Sequence, residues 1–409
     1  MQYGLLGEKL GHSYSPQIHN LLGSYTYDLV EKQPQQLEAF LKNGDFCGLN
    51  VTIPYKKSVI PYCDEISPQA KALGSVNTIV RRDGKLIGHN TDYFGFSYMV
   101  EKSGVSITGK KVLVLGSGGA SVIVCAVLRS LNANVVVISR SGENNYENIA
   151  KHADAAVIVN TTPVGMYPNT GCTPLNLATF PTLEAVLDIV YNPARTQLLM
   201  DAERRGLIAE NGLWMLIAQA KESAEWFTGK PISDAVIPQI YRKLRKETEN
   251  IILIGMPGAG KSAIGKELAE SLHMTFVDAD EKIVEKAGMT IPEIFQKYGE
   301  EEFRKTESAV LRELGKESGL VIATGGGCVT RKENYPSLHQ NGSIIWIHRP
   351  IEALPTEGRP LSQTGKLQAM YDIRKPMYTT FCDAQVDNTG SISQAVSQIV
   401  TLLGKEDTQ

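Results

Sequence analysis

No two of the six cysteines (Cys47, Cys63, Cys125, Cys172, Cys328 and Cys382) have metal-ligand or redox-motif spacing, and six in 409 residues is too sparse for a disulfide framework. A reducing compartment fits such usage, and the cytoplasm is the expected location. An excess of one charge is missing too, since 41 Lys and Arg stand against 44 Asp and Glu, a net of −3. That balance gives no electrostatic footprint for nucleic acid and no basic face for anionic lipid, so neither is an expected partner. Long apolar runs are absent. The longest, Val122 to Leu128, is far too short to span a bilayer, and the opening Met1-Gln2-Tyr3-Gly4-Leu5 has neither the basic nor the apolar region of a signal peptide. Low-complexity tracts and solenoid-length repeats are also missing. What remains is 42% hydrophobic and 21% charged, ordinary for a folded globular chain with room for two or three domains.

Short β-branched runs alternate with helical patterns: Val112–Leu115, Val135–Ile138, Ala156–Val159, Val186–Ile189, Ile251–Ile254, Leu320–Ala323 and Ile344–Ile347. Strands alternating with helices mean βαβ units and mostly parallel sheets. Two strands run into glycine turns, at Gly116 and Gly255, so two nucleotide-binding sheets are expected. The charged stretch Arg242 to Glu249 ends a helical pattern, leads straight into the Ile251 strand, and marks the best boundary.

In the second half, Gly255-Met256-Pro257-Gly258-Ala259-Gly260-Lys261-Ser262 fits the pattern G-x-x-x-x-G-K-[ST] between an apolar strand and an amphipathic helix predicted over Ala263–Leu272. Backbone N–H groups of Gly258, Ala259, Gly260 and the helix start at Ala263 close around phosphate oxygens. Lys261 reaches the β- and γ-phosphates of ATP, and the Ser262 hydroxyl holds Mg²⁺. Next come Asp278 and Asp280. In an extended chain they share a face at a strand end, one to serve the metal and one to accept a hydroxyl proton. Arg304 and Glu307 are i, i+3 neighbours on a predicted helix, with the glutamate placed to orient the guanidinium. Gly325-Gly326-Gly327 mean a tight turn or a close backbone approach to a ligand.

From about Asn250 onward these pieces resemble shikimate kinase, together with Thr324-Gly325-Gly326-Gly327, Gly358-Arg359-Pro360-Leu361 and Arg374-Lys375-Pro376-Met377-Tyr378. The resemblance implies that Asp278 serves Mg²⁺ through water and that Asp280 orients the attacking 3-hydroxyl of shikimate. It implies that Arg304 and Arg374 grip the ring carboxylate, with Gly326 behind the ring, and that Arg359 on a lid stabilises the transferring phosphoryl group.

In the first half, Lys111 to Leu115 enters Gly116-Ser117-Gly118-Gly119-Ala120-Ser121, similar to G-x-G-x-x-G/A with Ser121 at the last position. The next strand ends at Ser139-Arg140-Ser141. Arg140 suits a ribose 2′-phosphate where an NAD enzyme would carry an acid, so NADP(H) is favoured. Leu49, Val51 and Ile53 alternate with Asn50 and Thr52, which predicts a half-buried strand ended by Pro54 and followed by Lys56. Ser15 reads as a helix N-cap before Pro16. Ser75 to Thr91 reads as a hairpin about Asp83-Gly84, a type I′ signal, with Asn77 facing Asn90 and Asp92 facing Ser75 on one side of the ribbon.

From about Tyr3 to Leu244 the chain resembles shikimate dehydrogenase. The matching motifs are His12-Ser13-Tyr14-Ser15-Pro16, Asn50-Val51-Thr52-Ile53-Pro54-Tyr55-Lys56, Gly74-Ser75-Val76-Asn77-Thr78, Asn90-Thr91-Asp92, Asn160-Thr161-Thr162-Pro163 and Asn211-Gly212-Leu213-Trp214-Met215-Leu216-Ile217-Ala218-Gln219. What this implies is substrate binding by Ser13, Ser15, Thr52, Asn77, Asp92, Tyr191 and Gln219, with Lys56 and Asp92 as the catalytic pair. It implies a cofactor site of Gly116, Gly118, Gly119, Ala120, Ser121, Ser139, Arg140, Ser141 and Met215.

The two resemblances imply an α/β protein. An α/β substrate lobe (1–98, completed by helices 213–246) precedes a Rossmann NADP domain (99–212) and a P-loop, NMP-kinase-like domain with a parallel sheet (247–409). Together they imply reduction of 3-dehydroshikimate followed by phosphorylation of the product, with small-molecule partners and a homodimer left open. Three other readings stay open: NAD-dependent quinate or shikimate oxidation by the first half, a degenerate half acting as a ligand sensor, and a different small-molecule kinase in the second half.

Overall fold

Runs of Val, Ile and Leu assemble into three sheets in the computed structural model, which describes residues 2–11, 13–354 and 364–405. The first sheet is mixed. Its strands β1 (Tyr3–Gly7), β2 (Tyr27–Glu31), β3 (Gly48–Val51), β4 (Glu65–Ile66), β5 (Thr78–Arg82) and β6 (Lys85–His89) lie in the order β2-β1-β3-β5-β6-β4. The second contains β7 (Lys111–Leu115), β8 (Asn134–Ile138), β9 (Val157–Asn160), β10 (Ala185–Asp188) and β11 (Ile208–Asn211) in the order β11-β10-β9-β7-β8, all parallel. The third contains β12 (Asn250–Ile254), β13 (Thr275–Asp278), β14 (Leu320–Ala323), β15 (Gly342–His348) and β16 (Ala384–Asp387) in the order β13-β14-β12-β15-β16, again all parallel. This is the mixed α/β architecture with parallel sheets that the alternation of strand and helix predicts.

Parallel strands covered on both faces need apolar side chains at every position. In β7, Val112 and Val114 pack into one core cluster while Leu113 and Leu115 pack into another. The chain divides into two compact units. One takes in residues 1–166, 172–192 and 198–243; the other takes in 244–409 with the segments 167–171 and 193–197. Only Glu249 lies between the helix Val236–Thr248 and β12. Among the described residues, no helix is long and apolar enough to cross a membrane.

Four local expectations change. The helix holding Ser15 runs Ser15–Leu22 with Tyr14 as its N-cap, so Ser15 is its first residue and caps nothing. The strand near Asn50 stops at Val51 with all four residues buried, and Ile53 lies beyond it, 78% exposed. The first residues after β13 turn helical at once, so Asp280 sits in the first turn of Ala279–Ala287 and the extended i, i+2 argument for Asp278 and Asp280 does not hold. The helix predicted over Ala263–Leu272 runs Lys261–Ser271, starting two residues early because the phosphate loop closes directly into it.

The hairpin has the expected register, Arg82 opposite Lys85 and Thr78 opposite His89, with Asp83 and Gly84 at φ 52° and 79°. The ladder ends there, however, because Asp92 begins the helix Asp92–Ser103. Asn90 closes the gap instead. Its Nδ2 donates to the Ser75 carbonyl (3.0 Å), and its Oδ1 accepts from the Asp92 N–H (3.1 Å).

The first unit buries two histidines without compensating charge. His19 stacks on Tyr27 at 3.9 Å, and His89 stacks on Trp226 at 3.5 Å with neither ring nitrogen hydrogen-bonded. Burial holds their pKa values down to about 3 and about 4. Between those values and the unfolded 6.5 the unfolded chain binds more protons, so this stability is present above pH 6.5 and is lost as pH falls. Burial raises Glu222 to about 7, which acts in the opposite direction above pH 4.5. Two histidines against one carboxyl leave a net loss of about 1.4 kcal/mol per pH unit between pH 6.5 and 4.5. Urea unfolding followed by Trp226 fluorescence at pH 7 and pH 5 should show the midpoint drop, and Glu222→Gln should steepen the drop. A midpoint unchanged by pH contradicts this account.

Candidate active sites

In the first unit, the β5–β6 hairpin, the start of Asp92–Ser103 and the helix Leu213–Thr228 converge. Lys56 Nζ donates to Asp92 Oδ2 at 2.6 Å, with the carboxylate side chain 3% exposed and the lysine 25% exposed. The pair is thus sheltered on the acid side and open on the ammonium side. The Lys56 carbonyl accepts from the Val76 N–H (2.8 Å), which sets the lysine beside Asn77.

Hydrogen bonds fix both amides. Asn77 Oδ1 accepts from the Thr91 N–H (2.8 Å), so its Nδ2 faces Thr91 Oγ1 (3.0 Å) and Gln219 Oε1 (3.1 Å). Gln219 therefore turns its oxygen toward Asn77, and its Nε2 has no protein partner among the described residues. Gly95 lets the two helices meet, since a Cβ there would lie 2.6 Å from the Met215 carbonyl and 3.1 Å from Gln219 Cβ. Ser13 Oγ accepts from the Ser15 N–H at 3.2 Å, and between them Tyr14 brings its ring to 5.4 Å from that of Tyr191. Thr52, half-buried just past β3, has a hydroxyl with no protein partner among the described residues. His12 of this motif lies outside them.

The turn after β7 is built to leave space. Gly116 has φ 102°, and a Cβ there would crowd Thr161 Oγ1 at 2.9 Å, so only glycine fits. At Gly118 and Gly119 a Cβ would meet nothing within 4 Å, and Gly119 opens the helix Gly119–Ser130. Open space beside glycine backbone at a helix N-terminus suits a pyrophosphate. Ala120 lies in the first turn; Ser121 is buried, which places it in helix packing. Ser139 and the exposed Arg140 and Ser141 follow β8, and Arg140 makes no ion pair among the described residues. The residues present thus fit a dinucleotide with a 2′-phosphate. Met215 packs with Phe96, Met99 and Val114 in the core.

In the second unit, the loop after β12 carries Gly258, Ala259 and Gly260 into the helix Lys261–Ser271. Gly260 has φ 97°. Lys261 Nζ donates to the carbonyls of Gly255 (2.9 Å) and Met256 (3.0 Å). Ser262 Oγ donates to Asp278 Oδ2 at 2.7 Å, and Ala263 follows in the helix. One hydroxyl and one carboxylate in contact suit a Mg²⁺ that arrives with phosphate oxygens and water.

The neighbouring pocket gathers residues from four elements. Arg304 Nη1 donates to Glu307 Oε2 at 2.7 Å; the side chains are 9% and 1% exposed, a buried pair rather than a surface one. The guanidinium lies against Gly327. Arg374 Nη1 donates to the Gly326 carbonyl at 3.2 Å, as does the Tyr378 hydroxyl at 2.5 Å. Asp280 Oδ1 and Glu307 Oε1 are buried without hydrogen-bond partners. Burial first, and Asp278 second, raise the Asp280 pKa above the usual carboxylate range, with Lys261 and Arg304 opposing. Burial raises Glu307 likewise, with Arg304 opposing. Two unsatisfied acceptors near the guanidinium groups of Arg304 and Arg374 put hydroxyl-binding and carboxylate-binding chemistry side by side.

Both orphaned oxygens converge on Gly325, where a Cβ would lie 2.7 Å from Glu307 and 2.9 Å from Asp280. Gly325→Ala should therefore lower kcat/KM for this pocket's substrate about a hundredfold, by the cost of misplacing reacting groups. Steady-state kinetics on both units checks it, because the first unit should be unaffected; an unaltered second unit would contradict it. Arg359, Gly358, Pro360 and Leu361 lie outside the described residues.

Sequence reading missed three contributors. Tyr378 was part of a motif with no role, and Asn90 was given only a facing position. Asn388, whose Nδ2 donates to the phosphate-loop carbonyl of Ala259 at 2.8 Å, had no local signal at all. Asn388 stands in the loop after β16, beside a cavity of about 550 Å³ lined by Thr389, Ser391 and Gln394.

Comparison with known proteins gives two family matches. Residues 5–79 match the shikimate dehydrogenase substrate binding domain, and residues 257–403 match shikimate kinase. The chain is 38% identical over 265 residues to shikimate dehydrogenase (NADP(+)) of Clostridium perfringens, covering 59% of this chain and 98% of the relative. Two crystal structures are similar. One is a chorismate mutase/shikimate 5-dehydrogenase fusion protein from Clostridium acetobutylicum, with TM-score 0.57 and 36% identity over 60% of this chain and 97% of that one. The other is shikimate 5-dehydrogenase from Thermus thermophilus in complex with NADP(H) and shikimate, with TM-score 0.55 and 30% identity over 59% of this chain and 99% of that one.

Proposed function

The chain belongs to the shikimate dehydrogenase family and carries a shikimate kinase domain in the same polypeptide, and we propose that it acts twice on one ring oxygen. The first reaction is NADPH-dependent reduction of 3-dehydroshikimate to shikimate. The second is ATP- and Mg²⁺-dependent phosphorylation of that hydroxyl to shikimate 3-phosphate, two consecutive steps toward chorismate and the aromatic amino acids. The three-domain division (1–98 with 213–246, 99–212 and 247–409) and a cytoplasmic location belong to the same reading.

The observation that carries it is the pairing of two complementary receptors on one chain. In the first, NADPH supplies the hydride when bound. Lys56, as ammonium, gives its proton to the carbonyl oxygen as the alcohol forms, and Asp92 holds Nζ at 2.6 Å for that transfer. Gln219, through its free Nε2, binds a ring hydroxyl, and Asn77 and Thr52 complete the hydroxyl contacts. Ser13, Ser15 and Tyr191 take the carboxylate end. Gly116, Gly118, Gly119 and Ala120 seat the pyrophosphate and Ser139, Arg140 and Ser141 the 2′-phosphate, while the buried Ser121 and Met215 support the cofactor site through helix and core packing.

In the second receptor, ATP supplies the phosphoryl group when bound. Asp280 accepts the proton of the attacking hydroxyl, and its raised pKa suits that task. Arg304 and Arg374 hold the carboxylate as charge-assisted pairs, with Gly326 behind the ring. Gly258, Ala259, Gly260, Lys261 and Ala263 cradle the phosphates, Ser262 and Asp278 serve Mg²⁺, and Arg359 stabilises the transferring group.

A coupled assay tests this. Purified protein with 3-dehydroshikimate, NADPH, ATP and Mg²⁺ should form shikimate 3-phosphate, and NADP⁺ should be preferred to NAD⁺ in shikimate oxidation. Formation of shikimate without its phosphate would remove the kinase reading, and NAD⁺ preference would favour an oxidative first half.

A further inference from the structure

Ser223 carries none of the roles above, yet its hydroxyl is where the segments bearing them meet. Ser223 is fully buried and lies one turn beyond Gln219 on the same helix. Its Oγ donates to the Gln219 carbonyl at 2.9 Å. Asn50 Nδ2 donates to it at 2.7 Å, and the hydroxyls of Thr91 and Thr78 lie 3.0 and 2.9 Å away. Asn50 is two residues before Thr52, Thr78 follows Asn77, and Thr91 precedes Asp92. One oxygen thus ties together the four segments that present Thr52, Asn77, Asp92 and Gln219.

The donors and acceptors balance in two ways, which exchange the roles of Thr78 and Thr91. Asn50 Oδ1 accepts from the Tyr27 hydroxyl (2.8 Å), which turns Nδ2 toward Ser223. Thr91 Oγ1 accepts from Asn77 Nδ2, so its own proton goes either to Ser223 or to Asn77 Oδ1 (3.3 Å). Thr78 Oγ1 accepts from Asn50 Nδ2 (3.2 Å) and donates to Asn77 Oδ1 (3.1 Å) when Thr91 donates to Ser223, or to Ser223 (2.9 Å) when Thr91 donates to Asn77. A serine hydroxyl offers one donor and two acceptor positions, and the Gln219 carbonyl, Asn50 and one of the two threonines use all three. A saturated buried network of this kind specifies one arrangement of its members.

We propose that Ser223 is a positioning residue of the dehydrogenase site, fixing the spacing of the amide, hydroxyl and carboxylate groups that meet the polyol acid. The proposal rests on the dehydrogenase reading. It separates Ser223 from the chemical step, because Lys56 and Asp92 contact each other without it.

Ser223→Ala removes one oxygen and leaves Asn50, Thr78 and Thr91 without the partner they share. The KM for shikimate should rise about tenfold or more, with kcat changed less and the KM for NADP⁺ unchanged. Kinase kinetics on the same polypeptide should not move. If Ser223→Ala fails to fold, Thr91→Val removes one spoke at constant volume and should give the same split. Wild-type protein without shikimate oxidation would sink the dehydrogenase reading itself. Active wild-type protein with an unaltered shikimate KM in the variant, or with kcat and both KM values affected together, would overturn the role of Ser223 alone.

Discussion

Lys56→Met is expected to lower the turnover of shikimate oxidation by about 10²–10⁴-fold, the usual worth of a positioned proton donor. Methionine keeps the length and apolar stem of lysine and loses only the ammonium. The Asp92 carboxylate is then left 3% exposed with its cation gone. Asp92→Asn should also slow the reaction, by a different route, since Lys56 keeps its proton but loses the acceptor that holds Nζ in place. Both variants should leave the kinase reaction untouched, which makes each protein its own folding control. Stopped-flow measurement of NADPH formation with saturating shikimate decides the matter. Lys56→Met turnover within tenfold of wild type would mean that the proton travels by another path.

What could be read beforehand follows a physical division. The two parallel sheets were legible because fully covered parallel strands must be apolar at each position, as Ile251 to Ile254 are. The phosphate loop was legible because its glycines, lysine and serine are contiguous. The hairpin was legible from Asp83-Gly84, whose positive φ values few other pairs tolerate. What failed was geometry decided a residue or two beyond an element. The helix at Ala279 had a local signal that went unread, since Asp278 is its N-cap and Glu281 follows three residues later; nothing local says that β3 stops before Thr52, since that end depends on which backbone partners remain. Asn388 and Ser223 had no signature at all. Their importance comes from residues 129 and 173 positions away, so only the folded chain reveals it. Arg304 and Glu307 show the same limit in milder form: their i, i+3 spacing was visible, but burial, which changes the meaning of the pair, was not.

That burial makes Arg304 the most exacting position of the second unit. Removing a charge from a buried pair costs about 3–5 kcal/mol, because the partner stays behind uncompensated. Glu307 is 1% exposed and its pKa is raised by burial even with the guanidinium present. Arg304→Met should therefore abolish shikimate phosphorylation and also destabilise the second unit. The destabilisation has a defined sign in pH. Without Arg304 the folded pKa of Glu307 rises further above its unfolded value, so the folded state binds the extra proton. Stability is then retained below the unfolded carboxylate pKa and lost as pH rises toward the folded one. Arg304→Met should accordingly unfold more easily at pH 8 than at pH 5, the reverse of the histidine-driven trend in the first unit. Adding Glu307→Gln should restore the stability at pH 8 while leaving phosphorylation absent, because the amide needs no counter-charge and the carboxylate receptor is still missing. Thermal unfolding of both variants across that range, with kinase assays alongside, separates the two effects. Equal loss of stability at both pH values, or no recovery in the double variant, would show that the pair is not held in the way its geometry indicates.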